Sequence, residues 1–153
     1  MTNDVEIQML SDLDSIPESL KLACWAECVL SDKIEHKEMV IRVVDVDEGA
    51  ELNHRFRGET SATNVLSFSF EPIDGIPMNL LGDIVICAPI VEQEALEQRK
   101  SIDAHWAHMV VHGVLHLLGY DHVRPTDAVE MEAEEKRLLN QFGFSNPYEE
   151  VVA

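Results

Sequence analysis

His112-Gly-Val-Leu-His116-Leu-Leu-Gly119-Tyr-Asp-His122 is the stretch that decides how this chain is read. His112 and His116 stand four residues apart, so a helix puts them one turn apart on one face. Gly119 lets the chain leave that helix through a left-handed residue at no steric cost. Such an exit swings His122 back beside the other two. Three imidazoles with one coordination position open is the make-up of a catalytic zinc site, whereas structural zinc is usually closed by four protein ligands. The segment points to metal-assisted hydrolysis.

A His pair at helical spacing is also common in ordinary helices, so the flanks matter. From Ser101 to Leu118 the chain carries Trp106, Met109, Val110, Val111, Val114 and Leu115, with apolar residues on almost every face. A helix apolar all round is buried, and buried imidazoles need partners for both nitrogens. His112, His116 and His122 are therefore the expected metal ligands. His105 and His108 extend the stripe, and each reads as a further ligand, a hydrogen-bond partner of a ligand or an ordinary helix residue. Packing is the plainer reading of His105, and His108 stays open between packing and a hydrogen bond to a ligand.

Position 113 bears on the reaction. Zincin peptidases place Glu directly after the first His, as general base, and this chain has Gly113 there. The His-x3-His-x2-Gly-x2-His spacing matches the metzincin pattern. The scaffold is zincin-like, while peptidase chemistry by the usual route is disfavoured. A divalent metal still lowers the pKa of its water toward about 7 without a neighbouring base.

The His112–His122 segment resembles the signature of the YbeY family of bacterial endoribonucleases, also called rRNA maturation factors. Two further segments agree, Asn53-His-Arg-Phe-Arg57-Gly-Glu-Thr-Ser-Ala-Thr63-Asn-Val65-Leu66-Ser67-Phe68 and Leu81-Gly82-Asp83-Ile84. The three segments lie within residues 53–122, and the resemblance covers essentially the whole protein as one domain, residues 1–153. The family's usual Pro and Asp in the second motif are here Ser61 or Ala62, and Asn64. The resemblance implies a metal-dependent, single-strand-specific endoribonuclease in ribosomal RNA maturation, especially at the small-subunit 3′ end, and in ribosome quality control. It carries the ligand roles to His112, His116 and His122, and a functional role to Arg57. A guanidinium suits that role because it pairs bidentately with phosphate and stabilises developing charge. Arg57 also reads as a helix C-terminal cation just before Gly58.

Composition supports part of this. A length of 153 residues and 46% hydrophobic content suit one folded domain. The N-terminus has no basic region followed by an apolar stretch, and no run is long enough for a membrane span. Three Cys without a paired pattern fit a reduced cytosol. A cytoplasmic protein with no membrane partner and no organic cofactor is expected. Cys24, Cys28 and Cys87 read as buried small apolar residues. The net charge of −18, from 11 Lys and Arg against 29 Asp and Glu, resists nucleic-acid binding. Arg55, Arg57 and Arg124 nevertheless fall in or beside the motifs, so a local positive site helped by the metal's charge is expected. Weak, salt-dependent binding to single-stranded RNA follows, with the ribosome or a ribosomal protein supplying some targeting.

The pattern predicts an α/β domain with a four-stranded, mostly parallel mixed sheet and about five helices, the central one carrying the metal. Strands are expected at Val5–Leu10, Met39–Val44, around Leu66–Phe70 and at Ile84–Cys87. Ser15-Ile-Pro-Glu18 resembles a capping box opening a helix to about Leu30. Further helices run from Asp47 to Gly58, from Pro89, over the metal segment, and from a capping Asp127 to Phe142. The Ser67 and Ser69 face of the third strand is a candidate cleft wall beside an open edge.

Other roles stay open. Asp121 either orients a ligand imidazole or caps a turn. Asp83 reads as a hydrogen-bond partner, a general base or a strand-start residue. Tyr120 reads as packing; Thr63 and Asn64 read as turn residues with phosphate contact as the alternative. Glu130, Glu132, Glu134 and Glu135 read as the solvated face of the last helix. Zinc is the metal that suits imidazole ligands here, and copper, nickel and iron are also compatible. Two other functions remain: a metal-dependent hydrolase of a non-RNA substrate, and a non-catalytic ribosome-assembly factor with a structural metal.

Overall fold

The computed structural model describes residues 3–70 and 79–148. Its aliphatic runs form strands Asp4–Met9 (β1), Glu38–Val44 (β2), Val65–Ser69 (β3) and Leu80–Cys87 (β4). Strands β1, β2 and β4 are parallel, and β3 pairs antiparallel with β4 at the edge, in the order β1-β2-β4-β3. Helices are Ser19–Lys33 (α1), Val46–Arg57 (α2), Ala88–Glu97 (α3), Ile102–Leu117 (α4) and Pro125–Gln141 (α5). The expected mixed, mostly parallel sheet with five helices is what these residues build.

Strand alternation divides the core. Met39, Ile41 and Val43 of β2, with Ile84 and Ile86 of β4, face the side that holds α1, α4 and α5. Val44, Leu66, Val85 and Cys87 face the other side, beneath Leu52 of α2 and Ile90 of α3. Helix α4 touches α1, α3, α5, β3 and β4, and Trp106, Val110 and Leu115 are fully buried. Each such side chain contributes roughly 1.5–3 kcal/mol on burial. A shift of α4 would forfeit several of them, so its histidines stand on a fixed platform. No helix among the described residues is long and apolar enough to cross a membrane.

Several boundaries differ from expectation. Helix α1 begins at Ser19 behind Glu18, not at a Ser15 box, and Ser15 Oγ is buried with no hydrogen-bond partner among the described residues. Pro17 biases Ile16 away from helical geometry, which delays the start. Strand β4 starts at Leu80 because Gly82 admits a close approach: a Cβ there would lie 2.3 Å from the Phe68 carbonyl oxygen. Helix α5 opens at Pro125, whose fixed φ suits a first turn, so Asp127 sits inside that turn instead of capping it. Cys24 and Cys28 are exposed, since α1 buries Leu22, Trp25, Ala26, Val29 and Leu30 on its opposite side. Cys87 is buried as expected.

Candidate metal centre

Local sequence starts and stops the central helix where the site needs it. The Ser101 side chain accepts a hydrogen bond from the Ala104 N–H at 3.1 Å, capping α4. At the other end the Gly119 N–H donates to the His116 carbonyl at 3.1 Å and the Tyr120 N–H to the Leu115 carbonyl at 3.0 Å. This is a Schellman closure with Gly119 at φ +101°, a conformation that strongly favours glycine. The chain turns back, and the His122 N–H is tied at 2.7 Å to Asp121 Oδ1. Asp121 thus acts as the turn-capping residue.

The turn brings the three histidines together. One ring nitrogen from each of His112, His116 and His122 lies within 4.8 Å of the others. Nε2 of His112 and Nε2 of His116 are 3.2 Å apart. A tetrahedral centre with Zn–N bonds of about 2.0–2.1 Å needs ligand nitrogens about 3.3 Å apart, so this pair already has the required spacing. Nδ1 of His112 lies 3.5 Å from Glu135 Oε2, which leaves Nε2 facing the centre. Burial, and then the charges of His112 and His122, push the His116 pKa below the ordinary imidazole value. The donor set fits a divalent cation such as zinc.

These histidines line a cavity of about 590 Å³ together with Arg57, Ser67 and Tyr120. Arg57 reaches it as the last residue of α2, which Gly58 closes at φ +72°. Thr63, Asn64 and Asp121 also line it. The Asn64 amide donates to Glu94 at 3.2 Å, and its Oδ1 accepts from the Val65 N–H at 2.7 Å, which is turn-like anchoring. Ser67 Oγ donates to the Gly113 carbonyl at 3.1 Å and joins the cleft wall to α4. Asp83 is not part of this cavity. It lies within β4, on the face opposite Ile84 and hence opposite α4, so neither the general-base nor the strand-start reading holds.

Gly113 has a packing reason. A Cβ there would lie 3.1 Å from Ile84 Cγ2 and 3.3 Å from Val65 Cγ2. The position that carries a base in zincin peptidases is here pressed against the sheet. Any base must come from elsewhere.

The sequence reading missed Glu135. It is 1% exposed, and its carboxylate accepts hydrogen bonds from His108 Nε2 and, at 2.8 Å, from the Tyr148 hydroxyl. Burial alone would raise its pKa, but His108 and His112 outweigh that and hold it at about 2. Burial and the Glu135 charge push the Tyr148 phenol well above its usual value. The signal was present: Met131, Glu135, Leu138 and Leu139 form one apolar stripe of α5, and a charge inside such a stripe is out of place. Glu134 is also engaged, accepting from Lys33 at 2.9 Å and Arg137 at 2.8 Å. His105 is buried with Nε2 3.0 Å from Glu94, in line with the packing reading.

An α/β domain that gathers three imidazoles and an arginine in one open cleft is, by class, a metal-dependent hydrolase. Residues 5–143 match the family model described as Endoribonuclease YbeY, and the chain belongs to that family. Endoribonuclease YbeY of Methylococcus capsulatus is 51% identical over 148 residues, covering 97% of each chain. The solution structure of TM1509 from Thermotoga maritima matches with a TM-score of 0.60 at 28% identity, covering 94% of this chain and 99% of that one.

Proposed function

We propose that this protein is a cytoplasmic, metal-dependent endoribonuclease that cleaves single-stranded RNA during maturation of ribosomal RNA, with the small-subunit 3′ end as its main target. One observation carries the reading: three convergent imidazoles share a cavity with Arg57. His112, His116 and His122 hold one divalent metal ion, with zinc the fitting choice. When bound, the metal supplies Lewis acidity toward a phosphoryl oxygen or a water molecule.

The chain's own groups do the rest. Arg57 faces the cavity from the end of α2 and pairs with the phosphate, stabilising charge as it develops on the phosphoryl oxygens. Ser67 and Asn64 shape the wall opposite α4. The buried platform under His112 and His116 keeps the imidazoles in place, so little reorganisation accompanies the reaction. The product ends identify the attacking group, because a 2′,3′-cyclic phosphate requires the ribose 2′-hydroxyl.

Net charge shapes recognition. A chain at −18 repels RNA over most of its surface. Of the three arginines in or beside the motifs only Arg57 lines the cleft, with Asp121 on the same wall, so the cleft binds a strand weakly and a ribosomal partner adds targeting. Cells in which Arg57→Ala replaces the wild-type chain should accumulate small-subunit RNA with an unprocessed 3′ end. Normal 3′ ends in those cells, with the variant folded and expressed, would refute the assignment.

A further inference from the structure

Glu135 stands where α5 crosses α4, and its surroundings are unusual for a carboxylate. The side chain is almost wholly buried, and the described residues set only imidazoles and a phenol against it. Lys100 feels its charge, yet donates its ammonium group to the Pro147 carbonyl at 2.6 Å. A buried carboxylate without a cation is costly. The imidazole nearest the cleft, His112, presents Nδ1 to Glu135 Oε2 and Nε2 to the other site histidines. His108 and Tyr148 hold the carboxylate from its other sides, which fixes its direction.

We propose that Glu135 is a positioning residue for the metal centre: it fixes His112 in the tautomer with Nδ1 protonated and supplies the buried negative charge against which a divalent cation binds through Nε2. The inference rests on the reading that His112, His116 and His122 hold the metal. A carboxylate behind a ligating imidazole sets its ring orientation and raises its basicity, and its loss typically weakens metal binding 10–100-fold. His108 is then the residue that braces the carboxylate, not a ligand. Tyr148 does the same from the C-terminal side.

The test is zinc affinity, measured by competition with a chromophoric chelator, in the wild type, Glu135→Gln, Tyr148→Phe and His116→Ala. Unfolding of each protein without added metal is followed in parallel. Glu135→Gln keeps the shape of the side chain and removes its charge. It should bind zinc about 10–100-fold more weakly while its metal-free Tm stays at or above that of the wild type. Nitrogen NMR of the zinc-loaded wild type should show His112 protonated at Nδ1.

If Glu135→Gln does not fold, Tyr148→Phe carries the same test, since it releases one of the two braces that aim the carboxylate at His112 Nδ1 and should lower affinity in the same direction. Wild-type affinity in the Gln variant, or in folded Tyr148→Phe where Gln fails, overturns the inference and leaves the metal site standing. Lower metal-free stability with unchanged affinity, the result of a merely structural role, overturns it too. A wild type that binds zinc no better than His116→Ala sinks the metal reading, and this inference with it.

Discussion

Gly119→Ala isolates what the turn after α4 contributes. Gly119 has φ +101°, and no atom of the described residues lies within 4 Å of where a Cβ would stand, so the cost of alanine is conformational and not a clash. Forcing an L-residue into that region costs about 2 kcal/mol, a fall in Tm of about 4–8 °C for a domain of this size. Gly143 is a matched control. Its φ is +89°, its Cβ position is equally open, and it closes α5 with the same pair of hydrogen bonds, Gly143 N–H to Asn140 and Phe144 N–H to Leu139. Urea unfolding of both variants should therefore show similar losses at an unchanged m-value. They should part in zinc affinity. Gly119→Ala displaces His122 and should weaken binding roughly tenfold or more, the scale seen when ligand orientation is disturbed, whereas Gly143→Ala should leave it unchanged. Equal affinities in the two variants would refute the claim that this turn delivers the third imidazole.

Arg57→Ala should lower RNA cleavage about 10²–10³-fold with zinc affinity unchanged, and Arg57→Lys should restore only part of it, because lysine lacks the bidentate fork; single-turnover cleavage beside chelator competition checks both. Burial holds the His116 pKa below the ordinary imidazole value, so cleavage should fall in acid as His116 takes up a proton and metal is released, and full activity at pH 5 would count against an all-histidine centre. Against burial, hydrogen bonds from Lys33 and Arg137 hold the Glu134 pKa below its usual 4.5. A carboxyl depressed in the folded state stabilises above its unfolded pKa and loses that contribution as pH falls through the folded one. Glu134→Gln should therefore flatten the stability profile below about pH 4.5, by under about 1 kcal/mol since both partners are partly exposed; denaturant melts between pH 3 and 7 read the slope.

The histidine helix was legible because periodicity, a glycine stop and a third histidine all lie within one local stretch. The sheet was legible for the same reason, as short β-branched runs separated by helical patterns. What escaped was set by contacts between elements. Glu135 sits among other acidic residues, and only the packing of α5 on α4 decides that it faces inward while Glu130 faces solvent. Cys24 and Cys28 share a helical face, but nothing local says that the opposite face of α1 meets the core. Gly113 read as a missing base; the structure gives it a positive reason, the close approach of α4 to Ile84 and Val65. Asp83 lies in a motif beside a catalytic-looking segment, yet strand alternation sends it to the far side of the sheet.

The most direct measurement is cleavage of a defined single-stranded RNA by zinc-loaded protein beside a folded His116→Ala variant prepared identically. Cleavage by the wild type alone would tie hydrolysis to the three-histidine centre. Equal cleavage by both, or none by either in the presence of metal, would contradict it.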